Sequence, residues 1–215
     1  MEAAKITIVY DNTAFQKRLR ADWGFSCYIE AYNRRILFDT GASGPILLDN
    51  MKKLNIDPGK IEEIIISHDH YDHTAGLSDL LQINPVKVYV PADCSFPAGA
   101  AEVIRIREPQ KIHENIFSTG ALDDFEQSLV INTKKGLLVV AGCSHPGVEK
   151  IFKAASQFGK PRALVGGLHG FSDFALLRDL EMVCPTHCTQ YKLEINYIFP
   201  QKYIPGGAGK ELFYG

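Results

Sequence analysis

The stretch Ser67-His68-Asp69-His70-Tyr71-Asp72-His73-Thr74-Ala75-Gly76 packs three of the chain's seven histidines, with two aspartates, into six residues. A solvated loop has no need of so much imidazole, and a packed core cannot hold it without partners. The run follows Ile61-Glu62-Glu63-Ile64-Ile65-Ile66-Ser67, an apolar segment of strand length. Beyond it Leu77, Leu80 and Leu81 fall on one side of a predicted helix, with Thr74 as its expected cap. His68 and His70 lie two apart, so a tight loop turns both side chains toward one point. Asp72 and His73 come where the chain bends into the helix and face a second point nearby. Imidazole nitrogen and carboxylate oxygen are the usual ligands of zinc and similar divalent metals. A loop fixed between a strand and a helix gives the rigid support that metal geometry requires. The rival reading is an accidental histidine-rich loop of weak metal affinity, and the order His-x-His-x-Asp-His is too specific to favour it.

The rest of the chain supplies the frame. Lys5–Asp11 alternates as a strand. Phe25–Gly41 reads as two strands around a turn at Asn33-Arg34, and Gly44-Pro45 open a helix with Leu47, Leu48, Met51 and Leu54 on one face. Val86–Ala92 is another strand. Between 93 and 127 only Glu102–Glu108 and Asn115–Leu122 look extended. Gln127–Cys143 forms a hairpin turning at Lys134-Lys135-Gly136, a solvated turn rather than a phosphate clamp. His145-Pro146 start a helix through Phe158, closed by Gly159. Arg162–His169 is a strand, a helix spans 173–182, and a short strand ends the chain. Strands and helices alternate with hairpins mixed in, which predicts one α/β domain, 1–215, with mixed sheets.

Of the 215 residues, 46% are hydrophobic and 22% charged, enough for a large core that buries roughly 70% of the unfolded surface. Lys+Arg 23 against Asp+Glu 25 gives a net charge of −2 without a basic run, which argues against nucleic acid as a partner. No segment reaches membrane-spanning length and the start carries no secretory pattern, so a soluble cytoplasmic protein acting on a small molecule is expected, its oligomeric state open. Five cysteines, an odd number, fit reduced buried thiols. Cys143, Cys184 and Cys188 lack the second Cys-x-x-Cys pair of a sulfur-rich zinc site.

His68–His73 after an apolar strand resembles the signature of the metallo-β-lactamase fold superfamily. The segments Trp23–Glu30, Ile36–Gly41, Glu126–Val148 and Pro185–Cys188 are similar to a branch of metal-dependent hydrolases within it. Some members of that branch are described as dihydropterin ribofuranosylaminobenzene-phosphate synthases (dihydropteroate-synthase-like proteins). The resemblance runs from about residue 5 to the end, weakest across 93–125. It implies an αββα sandwich, two mixed sheets flanked by helices. It also implies one metal on His68, His70 and His145 and a second on Asp72, His73 and His187, with zinc first and iron or manganese as alternatives. His145 and His187 each follow a predicted strand, although His145 beside Pro146 also suits a helix start and His187 has Cys184 and Cys188 as neighbours. His169 stands about where superfamily members often carry an aspartate or cysteine that binds or bridges metal. It is a ligand, a substrate contact or a structural histidine, and without a bridging acid the number of ions, one or two, stays open. Asp39 either orients the histidine loop by hydrogen bonds or is a plain turn residue before Gly41. His113 is read as a surface residue.

A metal with an open position supplies hydroxide near neutral pH. The expected reaction is therefore hydrolysis by metal-bound hydroxide of a small anionic ester, lactone, phosphoester or amide, with Asp72 orienting the water or passing on its proton. The glycines of Val165–Gly170 and the helix start at Pro146 point to close, anion-favouring approach of a ligand. Rival functions are a pterin-related condensing transferase on the same metals, a non-catalytic scaffold, and a di-iron oxidoreductase. The last resembles a pattern with glutamate at the place of His70.

Overall fold

Near-continuous runs of isoleucine, leucine and valine give strands whose two faces are both apolar, and such strands must be covered on both sides. The computed structural model, which describes residues 3–95 and 97–215, satisfies this with four layers. The first half runs β1 (Ala4–Tyr10), β2 (Ser26–Ala31), β3 (Arg34–Phe38), α1 (Gly44–Lys53), β4 (Glu63–Ile65), α2 (Tyr71–Thr74), α3 (Leu77–Ile83), β5 (Lys87–Pro91) and β6 (Glu102–Ile106). The second runs β7 (Gln110–His113), β8 (Ile116–Ser118), β9 (Leu129–Thr133), β10 (Gly136–Ala141), α4 (Val148–Ala155), β11 (Pro161–Gly167), β12 (Met182–Thr186), α5 (Lys192–Ile198) and β13 (Glu211–Tyr214).

Two mixed sheets result, ordered β13-β1-β2-β3-β4-β5-β6 and β12-β11-β10-β9-β8-β7. Strands β3 to β6 are parallel, as are β10 to β12, while the hairpins β1–β2–β3 and β7–β8–β9–β10 are antiparallel. Between the sheets lie Ile6, Ile8, Ile29, Ile36, Phe38 and Ile65 against Leu129, Ile131, Leu138, Val140 and Val165. The outer face of the first sheet (Val9, Leu37, Ile64, Val88) takes Leu47 and Met51 of α1 and Leu77, Leu80 and Leu81 of α3. The outer face of the second (Val130, Val139, Leu164, Val183) takes Val148, Ile151 and Ala155 of α4 and Ile195 of α5. This is the expected αββα sandwich. Among the described residues no helix is long and apolar enough to cross a membrane.

Several boundaries differ from expectation. The β2–β3 turn is Tyr32-Asn33, both at positive φ (51° and 60°), one residue earlier than expected. Thr74 caps nothing. Its hydroxyl donates to the His70 carbonyl at 3.0 Å, so α2 closes on itself and α3 starts afresh after Gly76. The helix expected at His145-Pro146 begins only at Val148, because Gly147 (φ 93°) breaks the approach. It ends in a 3₁₀ turn at Ser156–Phe158 before Gly159. In place of a helix over 173–182 there is a 3₁₀ turn, Phe174–Leu177. His113 is half-buried and pairs with the buried Glu63 rather than standing free at the surface.

Candidate metal centre

Parallel strands deliver their carboxyl ends to one edge, and the site is built from residues just beyond those ends. Asp11 and Asn12 follow β1, and Asp39 follows β3. Ser67 and His68 come after β4, and Cys143, Ser144 and His145 after β10. His169 comes after β11, His187 and Cys188 after β12. Four of these residues, Asp39, Ser144, His169 and His187, turn at positive φ (57°, 60°, 43° and 43°). Non-glycine residues adopt that conformation at a cost of about 1–3 kcal/mol each, and such strain gathers at functional sites. The strand ends also press together. A Cβ on Gly142 would stand 2.1 Å from Ser67 Oγ, and one on Gly167 would stand 2.5 Å from the Gly142 carbonyl oxygen and 2.7 Å from Cys188 Sγ. The glycine at 167 therefore makes room for neighbouring protein, not for a ligand as its sequence context suggests.

The histidine loop and the Gly142–His145 loop bring the first three donors together. His68 Nε2 lies 3.1 Å from His70 Nδ1 and 3.2 Å from His145 Nε2. The buried Ser67 hydroxyl donates to Asp39 Oδ2 (2.7 Å) and lies 2.9 Å from His68 Nδ1, which must then carry the proton. That leaves the His68 Nε2 lone pair aimed at the other two rings. Burial, then the neighbouring His73, His145 and His70, hold His68 far below the ordinary histidine range. Burial, then His169 and His70, push His145 down to about 4. At neutral pH the His68 and His145 imidazoles are therefore neutral.

A second set, Asp72, His73 and His187, gathers beside the first and is buried throughout. His73 Nδ1 is 2.7 Å from Asp39 Oδ2, and Asp39 also accepts from the Ser67 N–H at 2.7 Å. His187 is held by Asn12. Its Oδ1 accepts the Gly24 N–H (3.0 Å) and His187 Nδ1–H (2.8 Å), which fixes the imidazole tautomer. His187 Nε2, buried, then carries a lone pair 3.2 Å from Asp72 Oδ2 with no hydrogen bond to satisfy it. That carboxylate oxygen already takes the Trp23 indole N–H at 2.9 Å. Two electron-rich atoms facing each other in a buried site repel unless a cation lies between them. The donor chemistry therefore fits a divalent metal here.

Two residues that nothing in the sequence marks, Glu126 and Asp11, support the site. Glu126, buried, accepts the Cys143, Ser144 and His145 backbone N–H groups at 2.8, 2.9 and 2.8 Å and so shapes the loop that aims His145. The N–H groups of this loop, which precede the helix that starts at Val148, are thus already taken by a carboxylate of the protein. Asp11 accepts the His187 N–H at 2.8 Å, as Asn12 holds its ring. The Cys143 thiol, expected to be an inert core group, lies 3.1 Å from His73 Nε2 and 3.4 Å from Cys188 Sγ. Cys184 is instead in the core between the sheets. His169 is half-exposed, its ring 4.4 Å from that of His145, and its donor atom groups with those of Cys143 and His145. Phe125 packs edge-on against His70 and His145 and tilted against His68, at 5.2–5.4 Å, and Trp23 packs edge-on against His187 at 5.1 Å, so the two donor sets open between exposed aromatic rings.

Comparison with known proteins agrees with this architecture. The chain is 29% identical to the 7,8-dihydropterin-6-methyl-4-(beta-D-ribofuranosyl)-aminobenzene-5'-phosphate synthase of Methanocaldococcus jannaschii, over 95% of this chain and 94% of that one. Among solved structures it superposes on Tm1679, described as a metal-dependent hydrolase of the beta-lactamase superfamily. The TM-score is 0.77 at 26% identity, covering 97% of this chain and 98% of that one. A diphosphatase of the PhnP family shares the fold at 14% identity, with a TM-score of 0.64 and coverage of 99% and 97%. The model of the metallo-beta-lactamase superfamily matches residues 24–151. With that match, and the strand-end arrangement of its histidines, the chain belongs to the metallo-beta-lactamase superfamily.

Proposed function

We propose that this protein is a metal-dependent hydrolase acting on a small anionic substrate, with a phosphoester the favoured class. The observation that carries the reading is the buried, unsatisfied lone pair of His187 beside Asp72, matched by the converging nitrogens of His68, His70 and His145. Those six side chains would hold two divalent ions, zinc first by donor type. When bound, such ions lower the pKa of water to about 7 and polarise the oxygen under attack. One carboxylate and five imidazoles leave most of the charge of two dications uncompensated, which favours an anionic ligand.

The chain's own groups do the rest. Asp72, whose Oδ2 takes the Trp23 N–H, would accept a proton from the attacking water through its other oxygen. Asp39 and Asn12 keep His73 and His187 in the tautomers that donate Nε2 lone pairs. Phe125 and Trp23 wall the opening with apolar surface that limits water. Five free, buried cysteines support a reducing compartment such as the cytoplasm.

A second reading, condensation on a pterin-type substrate with the metals organising a diphosphate leaving group, draws support from the name of the Methanocaldococcus relative. The test is elemental analysis of the purified protein followed by turnover assays on phosphodiesters, lactones and pterin precursors. Metal-dependent hydrolysis is expected. Condensation with no hydrolysis of any class of ester would replace the first reading by the second.

A further inference from the structure

We propose that the thiolate of Cys143 is the protein group that bridges the two metal positions. The proposal rests on the two-ion reading above and deepens it. A pair of cations held close together needs an anion between them, and the place after β11 where an acid was sought holds His169 instead. The buried carboxylates nearby are committed elsewhere. Asp39 is bonded to Ser67 and His73, and Glu126 to three backbone N–H groups.

Cys143 Sγ lies among donors of both sets. Its sulfur groups with the donor atoms of His68 and His73, with those of His145 and His169, and with those of His187 and Cys188, each group spanning less than 4.8 Å. It therefore neighbours donors of both sets, His68 and His145 on one side and His73 and His187 on the other. His169 groups only toward the first side and Cys188 only toward the second. The 3.1 Å separation of Cys143 Sγ and His73 Nε2 is close to the roughly 3.5 Å expected of sulfur and nitrogen donors sharing one tetrahedral ion, from bonds of about 2.3 and about 2.0 Å. An independent sign that a cation belongs here is His187 Nε2, buried, unpartnered and within the same group as the sulfur. On binding, the S–H bond breaks, the proton leaves to solvent, and sulfur shares its electron pairs with both ions. No change of oxidation state is involved. A thiolate bridge also favours zinc, iron or cobalt over manganese, since soft sulfur prefers softer cations.

The experiment reloads the metal-free, full-length chain with cobalt(II). Wild type is expected to bind two equivalents, to show a sulfur-to-cobalt charge-transfer band in the near ultraviolet, and to show magnetic coupling between the ions. Cys188→Ala should keep both signatures. Cys143→Ala should lose both, and its affinity for the second equivalent should fall by more than about 100-fold, beyond the loss typical of an outer partner. Two equivalents bound without a sulfur band would sink the bridge while leaving the metal centre standing. Loss of the band in Cys188→Ala, with retention in Cys143→Ala, would move the sulfur ligand to Cys188 and overturn the proposal. Failure to bind cobalt at all would remove the two-ion reading itself. Should Cys143→Ala not fold, X-ray absorption on cobalt-loaded wild type and Cys188→Ala decides the matter. A sulfur neighbour at about 2.3 Å in both supports the bridge, and its absence from either overturns it.

Discussion

The two donor sets are made of nearly the same side chains and are housed in opposite ways. In the first set His70 and His145 are exposed and only His68 is buried; in the second Asp72, His73 and His187 are all buried. Exposed imidazoles that lose a metal can turn to water, whereas the buried set has only protein around it. The first is therefore a set of donors added to a finished fold, and the second is part of the fold's own polar interior. The difference shows in their supports. His145 is aimed by a backbone loop wrapped on Glu126, while His73 and His187 are gripped by the side chains of Asp39 and Asn12.

The sharpest way to break this contrast is to remove one ligand from each set. Both His70→Ala and His73→Ala should lower metal-dependent turnover by more than about 100-fold. Their stabilities should diverge. His70 is exposed, so its loss should stay within about 0.5 kcal/mol. Removing His73 strips the buried Asp39 carboxylate of one of its three partners, which costs about 1–3 kcal/mol. Urea unfolding of the metal-free variants checks this, and equal midpoints would abolish the distinction.

Asp39 tests whether the sets are separable at all, since it touches His73 directly and His68 through the Ser67 hydroxyl. Asp39→Asn is expected to weaken both metal affinities by about 10–100-fold. Calorimetric titration resolving two binding events measures it, and a loss confined to one event would show the relay through Ser67 to be idle.

More selective changes should follow the supports. Glu126→Gln keeps the shape of the side chain but turns one acceptor into a donor facing N–H groups, stranding one of them at about 1–3 kcal/mol. It should weaken the first metal about tenfold and spare the second. Asn12→Ala should do the reverse by freeing His187. A shared loss in both variants would mean that the loops move as one body.

The legibility of the sequence divides in the same way, between local and distant causes. The His68–His73 run, His145 and His187 were legible because imidazoles are chemically distinctive and sit just after apolar strands. Glu126 and Asn12 were not, because their partners lie 17–19 and 175 residues away and nothing near either residue marks the pairing. The strands β1, β9 and β10 could be read from their apolar runs. Strand β7 could not, since Gln110-Lys111-Ile112-His113 is mostly polar, as suits the edge of its sheet. Phe174, Leu177 and Leu180 recur every third residue, a spacing that serves a 3₁₀ turn as well as an α-helix, and the tighter turn formed. Helix α5 buries only Ile195 and so shows no apolar stripe.

A smaller, graded effect concerns acid. In the metal-free protein burial is the leading cause that lowers His68, His145, His169 and His187, with His145 reaching about 4 against an ordinary 6.5. Groups with a lowered folded pKa give stability that is present above 6.5 and lost as pH falls toward the folded value, because the unfolded chain takes up protons the folded chain refuses. His73, raised by Asp39 against its burial, and Glu126, raised by burial, work the other way. Four lowered groups against two raised ones set the sign. The urea midpoint of the metal-free chain should drop steadily from pH 6.5 toward pH 4. Loading with zinc should hold the midpoint up at neutral pH and lose that advantage over the same range, as protons compete for the ligand nitrogens. A midpoint that rises on acidification would mean that the buried Asp39–His73 pair and Glu126, rather than the converging lone pairs, govern the electrostatics of the site.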